Sequence, residues 1–152
     1  MSYHTWATPG FGICVDDICK DVSLTLEKVL NLAKMEPSVY EIVMEYLNGI
    51  CERDEIAFDE LTIEDIDELE GDYCERGIAF VLYNVITELP VVYADSFDGD
   101  QYVLYSPGYP WTMQESERSL SEKDVVKIFA KYVSILTDIP INVDYYNVEN
   151  GG

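Results

Sequence analysis

Positive charge is scarce in this chain of 152 residues: nine Lys and Arg stand against 30 Asp and Glu, a formal net charge of −21 at neutral pH. A protein that binds DNA, RNA or an anionic membrane directly needs a basic patch that releases counterions, and nine dispersed cations do not supply one. Histidine is scarcer still. The single His4 lies close to the start, so no Ser/His or Cys/His arrangement is expected in the body of the chain. There is no P-loop, no GxSxG elbow and no HExxH, and Gly10 with Gly12 is too little for a nucleotide loop. The four cysteines, Cys14, Cys19, Cys51 and Cys74, form no CxxC pair and have no histidine at ligand spacing. Reduced, mostly buried thiols are expected, rather than a zinc site or a disulfide framework. No run approaches the roughly 18 consecutive apolar residues of a membrane span, and MSYHTWATPG has no basic start leading into an apolar stretch. A cytosolic protein is expected.

What is present is enough to build a core. Apolar residues make up 48% and aromatics 12% of the chain, far more than a disordered polyanion carries. The length suits one domain over residues 1–152. GFGICVDDI at Gly10–Ile18 is β-branched at its centre and reads as a strand entering a turn at Asp16–Asp17. From Ser23, Leu26, Val29, Leu30 and Ala33 recur at helical spacing until Pro37. Ser38 with Glu41 reads as a capping box for a second helix, whose apolar stripe is Val39, Ile42, Val43, Tyr46, Leu47 and Ile50. A short third helix over Ile63–Leu69 is announced by the Thr62/Asp65 capping box, with Leu61 placed to staple onto Ile66 and Gly71 to stop it.

From Gly77 the pattern IAFVLYNVI, then VVYA, SFDGDQ and YVLYSP predicts three strands in an antiparallel meander. Ser121 and Asp124 cap a long helix with Val125, Ile128, Phe129, Tyr132, Val133 and Leu136 on its core face. Ile141–Val148 alternates as a half-buried strand, Ile141, Val143 and Tyr145 against Asn142, Asp144 and Tyr146, and NGG is a tail. The class expected is α+β: an antiparallel sheet of about four to five strands packed against N-terminal helices and one long C-terminal helix.

The acids are unevenly placed. Residues 52–75 hold twelve of them against the single base Arg53, so 24 residues carry more than half of the net charge. In the short third helix, Ile63, Ile66 and Leu69 can face inward while Glu64, Asp65, Asp67 and Glu68 project outward. One reading is a solvated face that promotes solubility, or salt adaptation, although the large apolar residues are not depleted as salt adaptation usually requires. The other is that carboxylates on a folded scaffold imitate phosphates. Side chains three or four apart on a helix lie about 5–6 Å from each other, and each DNA strand carries a charge per roughly 3.4 Å. Lys123, Lys127 and Lys131, four apart, form a basic ridge on the long helix, either solvated or in contact with the acidic segment.

Two further segments invite a functional reading. Asp95, Asp98 and Asp100 around SFDGDQ suggest calcium, but the spacing is not that of an EF-hand and Asp98–Gly99 is hairpin chemistry. The aromatic loop YSPGYPW, with Tyr109 and Trp111, reads equally as a binding surface and as a cover for the open face of the sheet.

YSPGYPWTM and SEKDVVKIFAKYVSILTDIPINVDYYNVENGG, together with GFGICVDDI, resemble a loose group of small, acidic, uncharacterised bacterial proteins, some of them carried by mobile elements. The matching segments cover under half of the chain and bring no catalytic motif. The resemblance implies a context: small acidic proteins of mobile elements are often inhibitors of host defence nucleases, including anti-CRISPR and anti-restriction proteins.

The function expected is therefore that of a non-enzymatic inhibitor or binding protein, with no catalytic residue, metal or cofactor. Its partner-binding candidates are Asp59, Glu60, Glu64, Asp65, Asp67, Glu68, Glu70, Asp72, Tyr109 and Trp111. The partner expected is a basic protein, such as a nuclease or other nucleic-acid-binding protein. An immunity protein or antitoxin against a basic nuclease toxin shares the same physics. From another class, a small carboxylate-based hydrolase or sugar-binding domain would instead show a cleft joining Trp111 to two facing carboxylates.

Overall fold

A ten-residue strand, β1 (Thr5–Cys14), is the spine of the structure. The computed structural model describes residues 5–69, 77–96, 99–105 and 122–151. After β1 come α1 (Val15–Cys19), α2 (Leu26–Ala33), α3 (Pro37–Asp54), a 3-10 turn (Phe58–Glu60), α4 (Ile63–Asp67) and α5 (Gly77–Val85). The hairpin β2 (Val91–Asp95) and β3 (Gln101–Tyr105), α6 (Glu122–Leu136) and β4 (Asp144–Gly151) complete the order. The sheet runs β2-β3-β1-β4 and is antiparallel throughout. The class is α+β.

β1 pairs with β3 from Phe11↔Tyr105 to Cys14↔Tyr102, and with β4 from Thr5↔Gly151 to Gly12↔Asp144. Among the described residues its first half pairs with β4 alone. Pro9 falls in that half, opposite Asn147 of β4. Gly12 lies in the doubly paired half, and a Cβ there would meet the Val103 carbonyl oxygen at 2.0 Å; at Gly10 it would meet that of Tyr105 at 2.7 Å. These glycines let β1 press against β3, and the sheet curls until β2 and β4, at opposite ends of the strand order, come within 8 Å of each other. On the inner face of the curl Ala94, Leu104 and Val148 form a small core of their own with Val92, Tyr102 and Tyr146.

The other face carries Ile13, Val103 and Tyr105 into the main core with Val29, Leu32, Val43, Leu47, Ile66, Leu82, Phe129 and Leu136. Each such aliphatic side chain contributes about 1.5–3 kcal/mol of transfer free energy. At the centre is α5, with Ile78, Ala79, Val81, Leu82 and Val85 all buried, and it touches α2, α3, α4, β2 and β3. This is the largest departure from the expected elements. IAFVLYNVI has no face to distinguish, because a helix packed on nearly every side reads as a continuous apolar run, as a buried strand does. The expected meander is accordingly a hairpin. Gly77 admits α5 at its first turn: a Cβ there would stand 1.7 Å from the Ile66 carbonyl oxygen.

Smaller corrections have local causes. Asp16 and Asp17 belong to α1 rather than to a turn, and the Asp16 carboxylate accepts the Gln101 backbone N–H at 2.6 Å, fastening α1 to the start of β3. Pro37 starts α3 instead of ending its predecessor, with Glu36 as N-cap in place of the Ser38 box; proline at the first helical position loses no bond that the helix would make. Ile42, assigned to the apolar stripe, is 47% exposed. β4 begins at Asp144 and includes Asn150 and Gly151, read as part of a tail, with Val148 buried and Tyr145 exposed against Phe11. Ser121, Gly71 and Cys74 lie outside the described residues; Cys14 is buried, and Cys19 and Cys51 are half-buried. The hairpin expected around SFDGDQ is present, closed by Ser96 N–H to Asp100 O at 2.9 Å and Gly99 at φ 87°.

One polar contact ties distant parts together. The buried Asp21 carboxylate accepts the Thr137 hydroxyl from the end of α6, along with the Ser23 N–H at 2.9 Å and hydroxyl at 2.7 Å. The Thr137 hydroxyl, chiefly, and then the Ser23 bonds hold Asp21 below the usual carboxylate range. A buried carboxylate satisfied this way does not carry the penalty of an unpaired one.

Candidate interaction surface

The acidic segment begins where α3 stops. Glu55 takes the left-handed conformation, φ 54°, that ends the helix, and the chain turns through the 3-10 turn into α4. Both pack back onto α3. Glu52, Asp54, Glu55, Asp59, Glu60, Glu64 and Glu68 are exposed, and Ile66 and Leu69 anchor the segment in the core. Arg53, the base within it, bonds Asp54 through Nε at 3.0 Å and a terminal nitrogen at 3.2 Å. That guanidinium lowers the Asp54 pKa.

The four carboxylates of α4 and its C-cap, Glu64, Asp65, Asp67 and Glu68, are not all presented to solvent. Glu64 and Glu68 point to solvent, whereas Asp65 and Asp67 are half-buried. Asp65 completes the capping box, accepting the Thr62 N–H at 2.7 Å and its hydroxyl at 3.3 Å. Its charge is spent on starting the helix. Glu64 and Asp67 also border a recess of about 300 Å³ floored by Leu24, Ile63 and Ile78. Glu70, Asp72, Tyr109 and Trp111 lie outside the described residues, as does Asp98.

α3 extends the acidic surface in a direction the sequence reading did not follow. Glu41, Glu45 and Glu52 are exposed along its outer side, where a shallow groove of about 660 Å³ is lined by Tyr40, Glu41, Met44, Glu45, Asn48, Gly49 and Glu52. The four-residue step from Glu41 to Glu45 was a visible signal, hidden by the denser run that follows. Of the basic ridge, Lys131 pairs with Glu88, just beyond α5, at 3.1 Å, and lies over the Tyr132 ring. Among the described residues no group of three or more His, Cys, Asp and Glu is arranged to hold a metal ion, and no helix is long and apolar enough to cross a membrane.

No family model, curated protein or solved structure matches this chain.

Proposed function

We propose that this protein is a non-enzymatic, acidic binding protein that engages the basic, nucleic-acid-binding surface of a protein partner, as an inhibitor of a defence nuclease would. The observation that carries the reading is the placement of charge. Asp59, Glu60, Glu64 and Glu68 stand exposed on short elements anchored by Ile66 and Leu69, and Glu41, Glu45 and Glu52 continue the same sign along α3. Carboxylates held on a folded surface present a fixed charge pattern at little ordering cost, which favours complementarity with a cationic groove and fast association.

The test reverses Asp59, Glu60, Glu64 and Glu68 to lysine and leaves Asp65 in its cap. Net charge moves from −21 to −13. A control reverses Glu27, Glu122, Asp138 and Glu149, all exposed elsewhere, for the same change in total charge. A partner captured from host lysate by the native protein should be lost by the first variant and kept by the control. Its complex should also weaken as salt rises, since the Debye length falls from about 10 Å at 0.1 M to about 3 Å at 1 M. Equal loss with both variants would reduce the effect to bulk charge, and no loss with either would leave the acids as solvation.

A further inference from the structure

We infer that the outer face of α6 is a self-association surface, on which a second copy of this chain seats antiparallel with the two α6 helices crossing at Ser134. Val126, Ala130, Val133 and Thr137 keep the i, i+4, i+7, i+11 spacing of a single helix face. Val133 and Thr137 floor a recess of about 330 Å³ there, walled on the far side by Ile139 and Ile141 on the way to β4. Two apolar side chains at opposite ends of this face stand in water: Val126 is 39% and Ile139 52% exposed. The exposed residues between them on this face, Ala130 and Ser134, are small, so another helix can come close. α2 packs on both α3 and α6, and no residue of α3 or α4 lines the recess. Pairing through α6 therefore leaves the acidic surface open.

Charge selects the occupant. Lys127 and Lys131 are exposed along the flank of this face next to Ser134, and Asp138, just past the helix, lines the recess itself. Lys131 is held by Glu88 at 3.1 Å. Lys127 and Asp138 make no ion pair among the described residues. In a two-fold antiparallel pair centred on Ser134, a residue n places after the centre meets the one n places before it on the other copy, and each flank keeps its side. Asp138 of each copy then falls at Ala130 of the other, between Lys127 and Lys131, while Ile139 reaches the recess beside Ala130. The contact is made twice by symmetry. A basic partner would be repelled by the lysines, whereas a second copy brings both the carboxylate that Lys127 lacks and the cation that Asp138 lacks. Each copy also carries a net charge of −21, which opposes approach at long range. Salt screens that repulsion, so it should strengthen the pair, the reverse of its effect on a complex with a basic partner.

Sedimentation equilibrium of the full chain, from about 1 μM to about 1 mM, tests this. A monomer–dimer equilibrium is expected, roughly tenfold tighter in about 0.5 M than in about 0.1 M salt. Ala130→Glu places a carboxylate at the crossing and should abolish the dimer. Lys127→Glu should weaken it about tenfold, and Lys127→Glu combined with Asp138→Lys should restore most of the loss. All three positions are exposed, so each variant should melt with the native chain, and partner capture should be the same with the monomeric Ala130→Glu variant. A monomer at every concentration and both salts, a dimer indifferent to Ala130→Glu, or a double variant as weak as Lys127→Glu alone would overturn the pairing. So would capture of an acidic protein on this face by a chain that stays monomeric, since the recess would then have another occupant.

Discussion

Two glycine-to-alanine exchanges, chemically identical and both within helices, should move stability in opposite directions. At Gly77 the added methyl carbon would stand 1.7 Å from the Ile66 carbonyl oxygen and 3.2 Å from the Leu69 side chain. The first distance is about half of an ordinary carbon–oxygen contact of roughly 3.3–3.6 Å, and its partner is backbone. α4 and α5 must part, against a core that leaves few voids to absorb the shift. Overpacking of this kind costs about 1–3 kcal/mol, while the better helix propensity of alanine returns at most about 1 kcal/mol. Gly77→Ala should therefore lose roughly 1–2 kcal/mol, or about 2–8 °C in melting temperature for a domain of this size. At Gly49 nothing among the described residues stands within 4 Å, so only the propensity term acts, and Gly49→Ala should gain up to about 1 kcal/mol. Thermal and urea unfolding of the two variants side by side measure both. A shift of the same sign in both would refute the reasoning, because steric context would then not decide either result. Faster exchange of the α4 amides in Gly77→Ala alone would locate the damage.

Phe129 is fully buried, so Phe129→Ala should cost about 3–5 kcal/mol, and a loss under about 1 kcal/mol would mean the site had collapsed around the gap. Burial chiefly, then the negative charges of a Cys14 thiolate and Asp100, pushes the Tyr102 pKa up to about 12. Tyr102 in the unfolded chain titrates near 10.0, so its contribution is complete below that pH and is lost as pH rises through the higher folded value; melting temperature should fall over this range, less steeply in Tyr102→Phe. Asp21 has the opposite sign. Its folded pKa lies below the ordinary 3.8, so its contribution is present above 3.8 and is lost as pH falls through the lower folded value. Thr137→Val removes the main donor and should flatten that acid limb of the melting profile; an unchanged limb would show that other carboxylates set it.

The elements that could be read from the sequence were those with one dry face. α2, α4 and α6 alternate apolar and polar residues at helical spacing, and Thr62 with Asp65 marks the start of α4 where the structure has it. α5 failed that test because nearly every side of it is packed. Ile42 failed for the opposite reason: its type suits the core stripe, but the turn of α3 carries it outward. The candidate surface was legible as composition and only partly as geometry. Glu64 and Glu68 are exposed as expected, whereas Asp65 is drawn into its own helix start, a use that periodicity alone does not separate from display.

The pairing of residues 5–12 with residues 144–151 governs the order in which this fold is assembled. β1 is made before every described helix, yet β4 is made only after them, and β3 on its other side is also distant in sequence. The helices from α2 to α5 can gather through contacts close along the chain, while the sheet must wait for closure of the longest loops and sets the slow step. In the interval β1 is a strand with two open edges, the kind of surface on which nascent chains associate. Pro9 removes one donor from those edges, and 21 net negative charges hold sibling chains apart until the last strand arrives.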